Sequence, residues 1–314
     1  MAASYEFEAG PFRSVLLDEP LVVWRDHDGA AVVAPDRCPH RGAALSGGHL
    51  VDGQLQCPYH GFRFDGSGRC TLVPSSGPTA AISRRLDLEP IRAVERHGLI
   101  WVLLSGDELA PLPNWNGIDE PGRQWVMCAP TTWQAAALRH AENFCDQGHF
   151  PYIHAATFGS AEEAEVPPIV VTQDEHELHF ELDTVQVLRD TFDSPGTEAT
   201  VHYEYRWAVP FATWLSIDYG EGRTERIADV AAPVTRGTSR VYLQKSRDYD
   251  LDQPVEPYRE FQDAINEEDR RIVESLQPAA PPLDLAGEVH VRADVVSIAA
   301  RRWFAERLGG VSSP

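Results

Sequence analysis

Over the first 110 positions, apolar residues gather in short runs separated by glycine, proline and aspartate. SVLLDEPLVVWRDHDGAAVVAP (14–35) reads as strands around a hairpin turn at Asp28-Gly29, and the apolar run in RHGLIWVLLSGD (96–107) as another strand. APLPNWNGIDEPGR (110–123) is rich in proline and glycine and reads as a linker. A helical stretch follows at roughly 132–150, TWQAAALRHAENFCDQGHF. Beyond a variable loop near 157–168, IVVTQDEHELHFELDTVQVL, TVHYEYRWAVP and SRVYLQKSRDY alternate as antiparallel strands. The amphipathic segment YREFQDAINEEDRRIVESLQP (258–278) closes the pattern as a helix ended by Pro278. No internal repeat or low-complexity tract interrupts this order. The expectation is an α+β chain: an all-β domain at 1–110, a linker at 111–123, and a larger domain of antiparallel sheet and long helices at 124–314.

Composition narrows the function classes. The 314 residues are 43% hydrophobic and 24% charged, ordinary for a globular protein with a sizeable core. The opening MAASYEFEAG has neither a basic start nor an apolar core, and the longest apolar runs are strand-length, far short of the roughly 20 residues of a membrane span. A soluble, cytoplasmic protein is expected. The net charge of −21 argues against nucleic acid or an anionic membrane as partner. Within residues 35–70, however, four arginines face three aspartates. That locally non-acidic patch either docks an acidic redox partner or reflects sampling in a short window. Only one of the 27 basic residues is lysine, Lys245, which reads as coding bias rather than function. Five cysteines in such a chain suit metal ligation or buried thiols better than a disulfide framework.

Two of those cysteines stand in a pattern. CPHRGAALSGGHLVDGQLQCPYH, from Cys38 to His60, gives Cys38-x-His40 and Cys57-x-x-His60 with sixteen residues between the pairs. Four such ligands most often hold structural zinc, but zinc spacings usually put two cysteines on one side and two histidines on the other. Here each loop offers one sulfur and one nitrogen. A two-iron centre fits that distribution, one iron taking both thiolates and the other both imidazoles. Pro39 and Pro58 stiffen the loops, and Gly42 and Gly61 allow backbone N–H groups close to bridging sulfides. Cys70 reads as a buried thiol and His49 as a surface residue.

A second cluster lies in ENFCDQGHFPYIH (142–154), which carries Asp146-x-x-His149-x₄-His154. On a helix Asp146 and His149 share a face, while His154 lies beyond Pro151, so the helix must bend or end for the imidazoles to converge. Two histidines and a carboxylate form the facial triad of non-haem Fe(II) oxygenases. In the last helix Phe261, Ile265, Ile272 and Leu276 mark an apolar stripe. Asp269 occupies a slot in that stripe, where a charge needs a partner or a metal. Glu267 and Glu268 lie 100–200° round the helix and read as solvated. Spacing alone leaves Asp146 and Asp269 both open as the third ligand.

The whole chain resembles the catalytic α subunits of Rieske non-haem iron oxygenases. The resemblance rests on C-x-H-x₁₆-C-x-x-H with its CPYHG loop, the proline-rich linker, D-x₂-H-x₄-H, and the late helix with E-D-x-x-I-V-E (Glu268 to Glu274). It implies a Rieske [2Fe–2S] domain followed by a helix-grip (START-like) catalytic domain. Cys38 and Cys57 would bind one cluster iron, and His40 and His60 the other. His149, His154 and Asp269 would hold mononuclear Fe(II). Asp146 would bridge an iron-ligating histidine to the cluster His60 of a neighbouring subunit in a head-to-tail homotrimer. Asn143, three residues before Asp146, gives the N-x-x-D spacing of the vanillate and dicamba O-demethylases; Asn143 and Asp146 are the candidate catalytic residues.

The activity implied is reductive O₂ activation, with electrons reaching the cluster from NAD(P)H through a separate reductase or ferredoxin. It hydroxylates or oxidatively demethylates a small aromatic or heterocyclic substrate. Phe150, Ile153, Phe158, Trp207, Phe211 and Trp214 are candidate pocket residues. Rival readings are an electron carrier whose second domain only binds a ligand, a cluster protein with zinc or nothing at His149 and His154, and a ring-hydroxylating dioxygenase.

Overall fold

In a computed structural model, residues 2–77, 79–104, 106, 108, 110–160, 162, 164–188 and 196–308 are described. Parts of the segments expected as the strand ending near 107, the variable loop and the C-terminal end of the second domain lie outside them. The chain divides into two compact units, Met1–Glu108 and Leu109–Pro314.

The first unit is built from short antiparallel strands: β1 (Ala2–Ala3), β2 (Phe12–Leu16), β3 (Glu19–Arg25), β4 (Ala31–Pro35), β5 (His49–Val51), β6 (Gln54–Gln56), β7 (Arg63–Phe64), β8 (Cys70–Leu72), β9 (Arg92–Arg96) and β10 (Leu99–Leu103). They form three small sheets in the orders β2-β3-β4, β5-β6-β7-β8 and β1-β10-β9. The Asp28-Gly29 turn joins β3 to β4, with the left-handed conformation at Gly29 (φ 79°). Trp24, Ala34, Leu55 and Phe64 form a core that also takes in Cys38, Cys57 and Cys70.

In the second unit β11 (Gln124–Met127), β12 (Thr131–Trp133), β13 (Thr172–Gln173), β14 (Glu177–Leu188), β15 (Thr197–Ala208), β16 (Ala212–Asp218), β17 (Thr224–Thr235) and β18 (Thr238–Arg247) make one antiparallel sheet. Its order is β11-β18-β17-β16-β15-β14-β13, with β12 also on β18. Period-two patterning sets the register: Leu178, Phe180 and Leu182 of β14 stand opposite Trp207, Tyr205 and Tyr203 of β15, all buried. Among the described residues, four α-helices accompany the sheet: α1 (Ala137–Phe144), α2 (Phe150–Ile153), α3 (Val255–Val273) and α4 (Val295–Leu308). α3 packs against α1, α2 and β11. The proline-rich segment belongs to this unit, with Trp115 and Ile118 buried and Arg226 donating to the Gly117 carbonyl at 2.5 Å.

Two sequence expectations change. The helix expected over 132–150 is confined to α1, because Thr131–Trp133 pairs with β18 and the helix ends at Cys145. Asp146 and His149 therefore meet in a turn between α1 and α2, where Asp146 Oδ2 accepts the His149 backbone N–H at 3.1 Å. The expected stripe on α3 holds in part: Phe261 and Ile265 face the inner cavity with Asp269, while Ile272 and, beyond the helix end, Leu276 are exposed, and the buried residues are Tyr258, Gln262 and Val273. Among the described residues, no helix is long and apolar enough to cross a membrane.

Candidate functional site

The two loops of the first motif are conformational twins. The Cys38 N–H donates to the Ala43 carbonyl and the Gly42 N–H to the Cys38 carbonyl; Cys57, Phe62 and Gly61 repeat both bonds. Gly42 and Gly61 sit at φ 73° and 71°, a conformation that side chains disfavour. Their own N–H groups close the turns. The N–H groups aimed at Cys38 sulfur are those of His40 and Arg41.

Both loop cysteines are buried and free. The His40 and His60 rings stand 4.7 Å apart, and His40 stacks on Phe62 at 4.8 Å. Burial pushes the Cys38 thiol up to about 11 against the pull of those two N–H groups. His40 Nδ1 is buried with no hydrogen-bond partner. Two converging thiols beside an orphaned imidazole nitrogen are a donor set that fits a metal cluster. Cys70 is buried and His49 exposed, bonded to Gln56.

In the second unit His149, His154 and Asp269 converge. His149 Nε2 lies 3.2 Å from His154 Nε2, and Asp269 Oδ1 lies 3.3 and 3.2 Å from these nitrogens. Each imidazole has a carboxylate on its other nitrogen. His149 Nδ1–H donates to Asp146 Oδ2 at 2.7 Å, and His154 Nδ1–H donates to Glu268 Oε2 at 2.8 Å. Thr157 Oγ donates to the same Glu268 oxygen at 2.9 Å. Protons held on both Nδ1 atoms leave two Nε2 lone pairs and a carboxylate oxygen facing one point. Asp269 Oδ1 is buried and has no hydrogen-bond partner there. Three acceptors without a donor fit a cation.

The electrostatics draw positive charge to the same point, with a proton standing where a cation would. Burial disfavours charge on His149, but Asp146 and Asp269 outweigh it and push the imidazole up to about 9. Burial also disfavours the Asp269 carboxylate, yet the two imidazoles hold it well below the usual range.

Glu268 is the residue that sequence reasoning misplaced. It was expected on a solvated face, but α2 packs against α3 and brings His154 to it. Asp146 sits on the Nδ1 side of His149, away from the point shared by the three acceptors, with its side chain 31% exposed. Asn143 lines the adjoining cavity, and its carbonyl accepts the Asp146 N–H at 3.1 Å.

That cavity has a volume of about 860 Å³ and lies between the inner sheet face and α1, α2 and α3. Of the six aromatic and aliphatic candidates, Phe150 and Phe158 line it. Trp207 and Phe211 pack instead on Phe304 of α4, and Trp214 faces a separate crevice with Trp115. Tyr203, Tyr205, Leu215 and Ile217 take their place; the period-two alternation of β15 and β16 marks them as one inward face.

A Cys/His cradle in one unit and a two-histidine, one-carboxylate cluster on a cavity wall in the other define a two-centre iron oxygenase of Rieske type. Comparison with known proteins refines this. Residues 1–87 match the Rieske [2Fe-2S] domain and residues 133–308 the vanillate O-demethylase oxygenase C-terminal domain. The methylxanthine N1-demethylase NdmA of Pseudomonas putida is 33% identical over 95% of this chain and 82% of its own length. The dicamba O-demethylase oxygenase component of Stenotrophomonas maltophilia is 28% identical over 87% of this chain and 84% of its own. The structure of NdmA with caffeine superposes with a TM-score of 0.83 at 32% identity, covering 95% of this chain and 84% of that one. Dicamba monooxygenase bound to dicamba gives 0.82 at 25% identity, covering 99% and 96%. The chain belongs to the Rieske non-haem iron oxygenases, with a catalytic domain of the vanillate O-demethylase family. It is an O₂-dependent oxidoreductase whose cofactors are a Rieske [2Fe–2S] cluster and a mononuclear iron.

Proposed function

We propose that this chain is the oxygenase component of an electron-transfer system that removes a methyl group from a small N- or O-methylated aromatic or heterocyclic substrate. The methyl group takes one oxygen atom of O₂ and becomes hydroxymethyl, while the other leaves as water with two electrons and two protons. The hydroxymethyl group then breaks down to formaldehyde and a free N–H or O–H. Cys38 and Cys57 would hold one cluster iron, and His40 and His60 the other. His149, His154 and Asp269 would hold Fe(II), which would supply reductive O₂ activation.

The protein's own groups prepare that site. Asp146 and Glu268 fix ring orientation and tautomer of the two histidines, so both lone pairs are presented together. Phe150 and Phe158 wall the cluster with apolar surface, and Tyr203 and Tyr205 offer flat faces for a ring. The partly exposed Asp146 carboxylate suits a second bond, to the cluster His60 of a neighbouring subunit in a homotrimer. Electrons come from NAD(P)H through a ferredoxin or reductase. The reading is carried by the convergence of three acceptor atoms on a cavity wall.

Formaldehyde assay tests it. With a surrogate reductase and a panel of N- and O-methylated aromatics and heterocycles, formaldehyde should appear in equal amount to the demethylated product. A hydroxylated product that keeps its methyl group would sink demethylation as the activity.

A further inference from the structure

Five of the nine tyrosines, Tyr203, Tyr205, Tyr219, Tyr249 and Tyr258, line the cavity of a protein that activates O₂. Phenols are oxidisable, so their place beside an oxidising centre calls for a physical reason. Four aromatic rings lead away from the metal-binding triad in steps. The Phe150 ring lies 5.0 Å from that of His149, and the Tyr203 ring 6.3 Å from Phe150. Tyr203 of β15 stands opposite Ile217 of β16, so Tyr219, two residues on, is its diagonal neighbour, within reach of an aromatic side chain. The Tyr219 and Tyr249 rings are 5.9 Å apart. Tyr249 is half-buried and lines the cavity beside the exposed Asp250 and Gln253.

The hydroxyls along this row meet different partners. The Gln186 amide donates to the Tyr203 oxygen and is no base. The Tyr249 hydroxyl donates to Glu225 Oε2 at 3.2 Å, and Lys245 Nζ holds Glu225 Oε1 at 2.8 Å. Burial pushes the Tyr249 hydroxyl well above the ordinary phenol range, with Glu225 adding to the effect, so Tyr249 is a neutral phenol. A neutral phenol gives up an electron readily when a base takes its proton, and Glu225 is placed as that base. Lys245, the one lysine of the chain and 2% exposed, balances the carboxylate. Tyr258 is set apart. Lys245 Nζ and the Arg247 guanidinium lie 4.0 and 4.6 Å from its ring centroid, and cations over a ring oppose loss of an electron from it. Tyr205 stacks on Phe180 at 4.6 Å, within the buried core.

We propose that Tyr249 is the escape point for oxidising equivalents when O₂ is reduced with no substrate bound, with Phe150, Tyr203 and Tyr219 as the path and Glu225 as the proton acceptor. Tyr249 gives one electron to the oxidised iron site and its hydroxyl proton to Glu225, which leaves a neutral tyrosyl radical. A soluble thiolate returns the electron and Glu225 returns the proton; two of the resulting thiyl radicals couple to a disulfide. The side chains nearest the iron are thereby spared oxidation. This rests on the oxygenase class alone, so loss of the demethylation reading leaves it standing.

Rapid freeze-quench electron paramagnetic resonance tests it without a turnover readout. Iron-loaded protein with a reduced cluster, made with ordinary or ring-deuterated tyrosine, is mixed with O₂ in the absence of substrate and thiol. The wild-type protein should give an organic radical signal that narrows on deuteration and disappears when dithiothreitol is added. Tyr249→Phe, matched to wild type in iron content and cluster spectrum, should lose that signal. Peptide mass spectrometry of the same variant should find more oxidation at Phe150 and Tyr203. In case Tyr249→Phe fails to fold or to load iron, Tyr219→Leu interrupts the path while leaving Tyr249, Glu225 and Lys245 in place, and it too should lose the signal. A wild-type protein with no radical overturns the proposal. So does a radical that deuteration leaves unchanged, which would place it on a residue other than tyrosine such as Trp133, or one that persists in Tyr249→Phe or Tyr219→Leu.

Discussion

The two metal-binding regions are assembled in opposite ways. The Cys/His cradle draws its four proposed ligands from two loops close in sequence, each closed by the same pair of local hydrogen bonds around a left-handed glycine. The His/His/Asp cluster draws on the two ends of α2 and on a helix more than a hundred residues later. Backbone geometry shapes the first centre; packing of α3 against α1 and α2 shapes the second. A locally built centre should tolerate changes elsewhere in the chain. The centre built by packing should depend on every group that holds its histidines in place.

Three substitutions sharpen this contrast, from the largest effect to the smallest. Asp146→Asn preserves an acceptor for the His149 N–H but removes the charge proposed to link the two centres. It should leave both sites filled with iron yet nearly abolish turnover in steady-state assays; near-wild-type turnover would remove the bridging role. Of the two histidines, Glu268→Gln acts on His154. It should cost about 10–100-fold in mononuclear iron affinity or activity, read by metal titration, while the visible spectrum of the cluster stays unchanged. Gly61→Ala probes the local centre. The left-handed φ of 71° and a Cβ placed 3.3 Å from Pro74 Cγ should lower stability by roughly 1–2 kcal/mol in thermal unfolding. Mononuclear iron content should not change.

The same contrast explains how much was legible in the sequence. The pairing of the Cys38/His40 and Cys57/His60 loops could be read because spacing within a loop is itself the geometry. The sheet was legible because burial alternates over Leu178–Leu182 of β14 and Val201–Trp207 of β15. Asp269 was found by an argument only half sound: it does lie on the inner face, between Gln262 and Val273, but the stripe drawn through Ile272 and Leu276 is exposed.

Glu268 was not legible. A helical wheel assumes one covered face, and α3 is covered on two sides. The helix over 132–150 was over-extended because pairing of Thr131–Trp133 with β18 is a tertiary fact that local pattern does not carry. Lys245 was discounted because lysine rarity looked like coding bias. Its neighbours on β18, alternating toward the cavity, carried the better signal.

The central claim is that this chain holds a lone iron in addition to its paired irons. Metal analysis of anaerobically purified protein, wild-type and Asp269→Asn, tests it most directly. Three irons per wild-type chain, falling to two in the variant with the cluster spectrum intact, is the expected result. Two irons in both proteins, or zinc in place of the third, would contradict it.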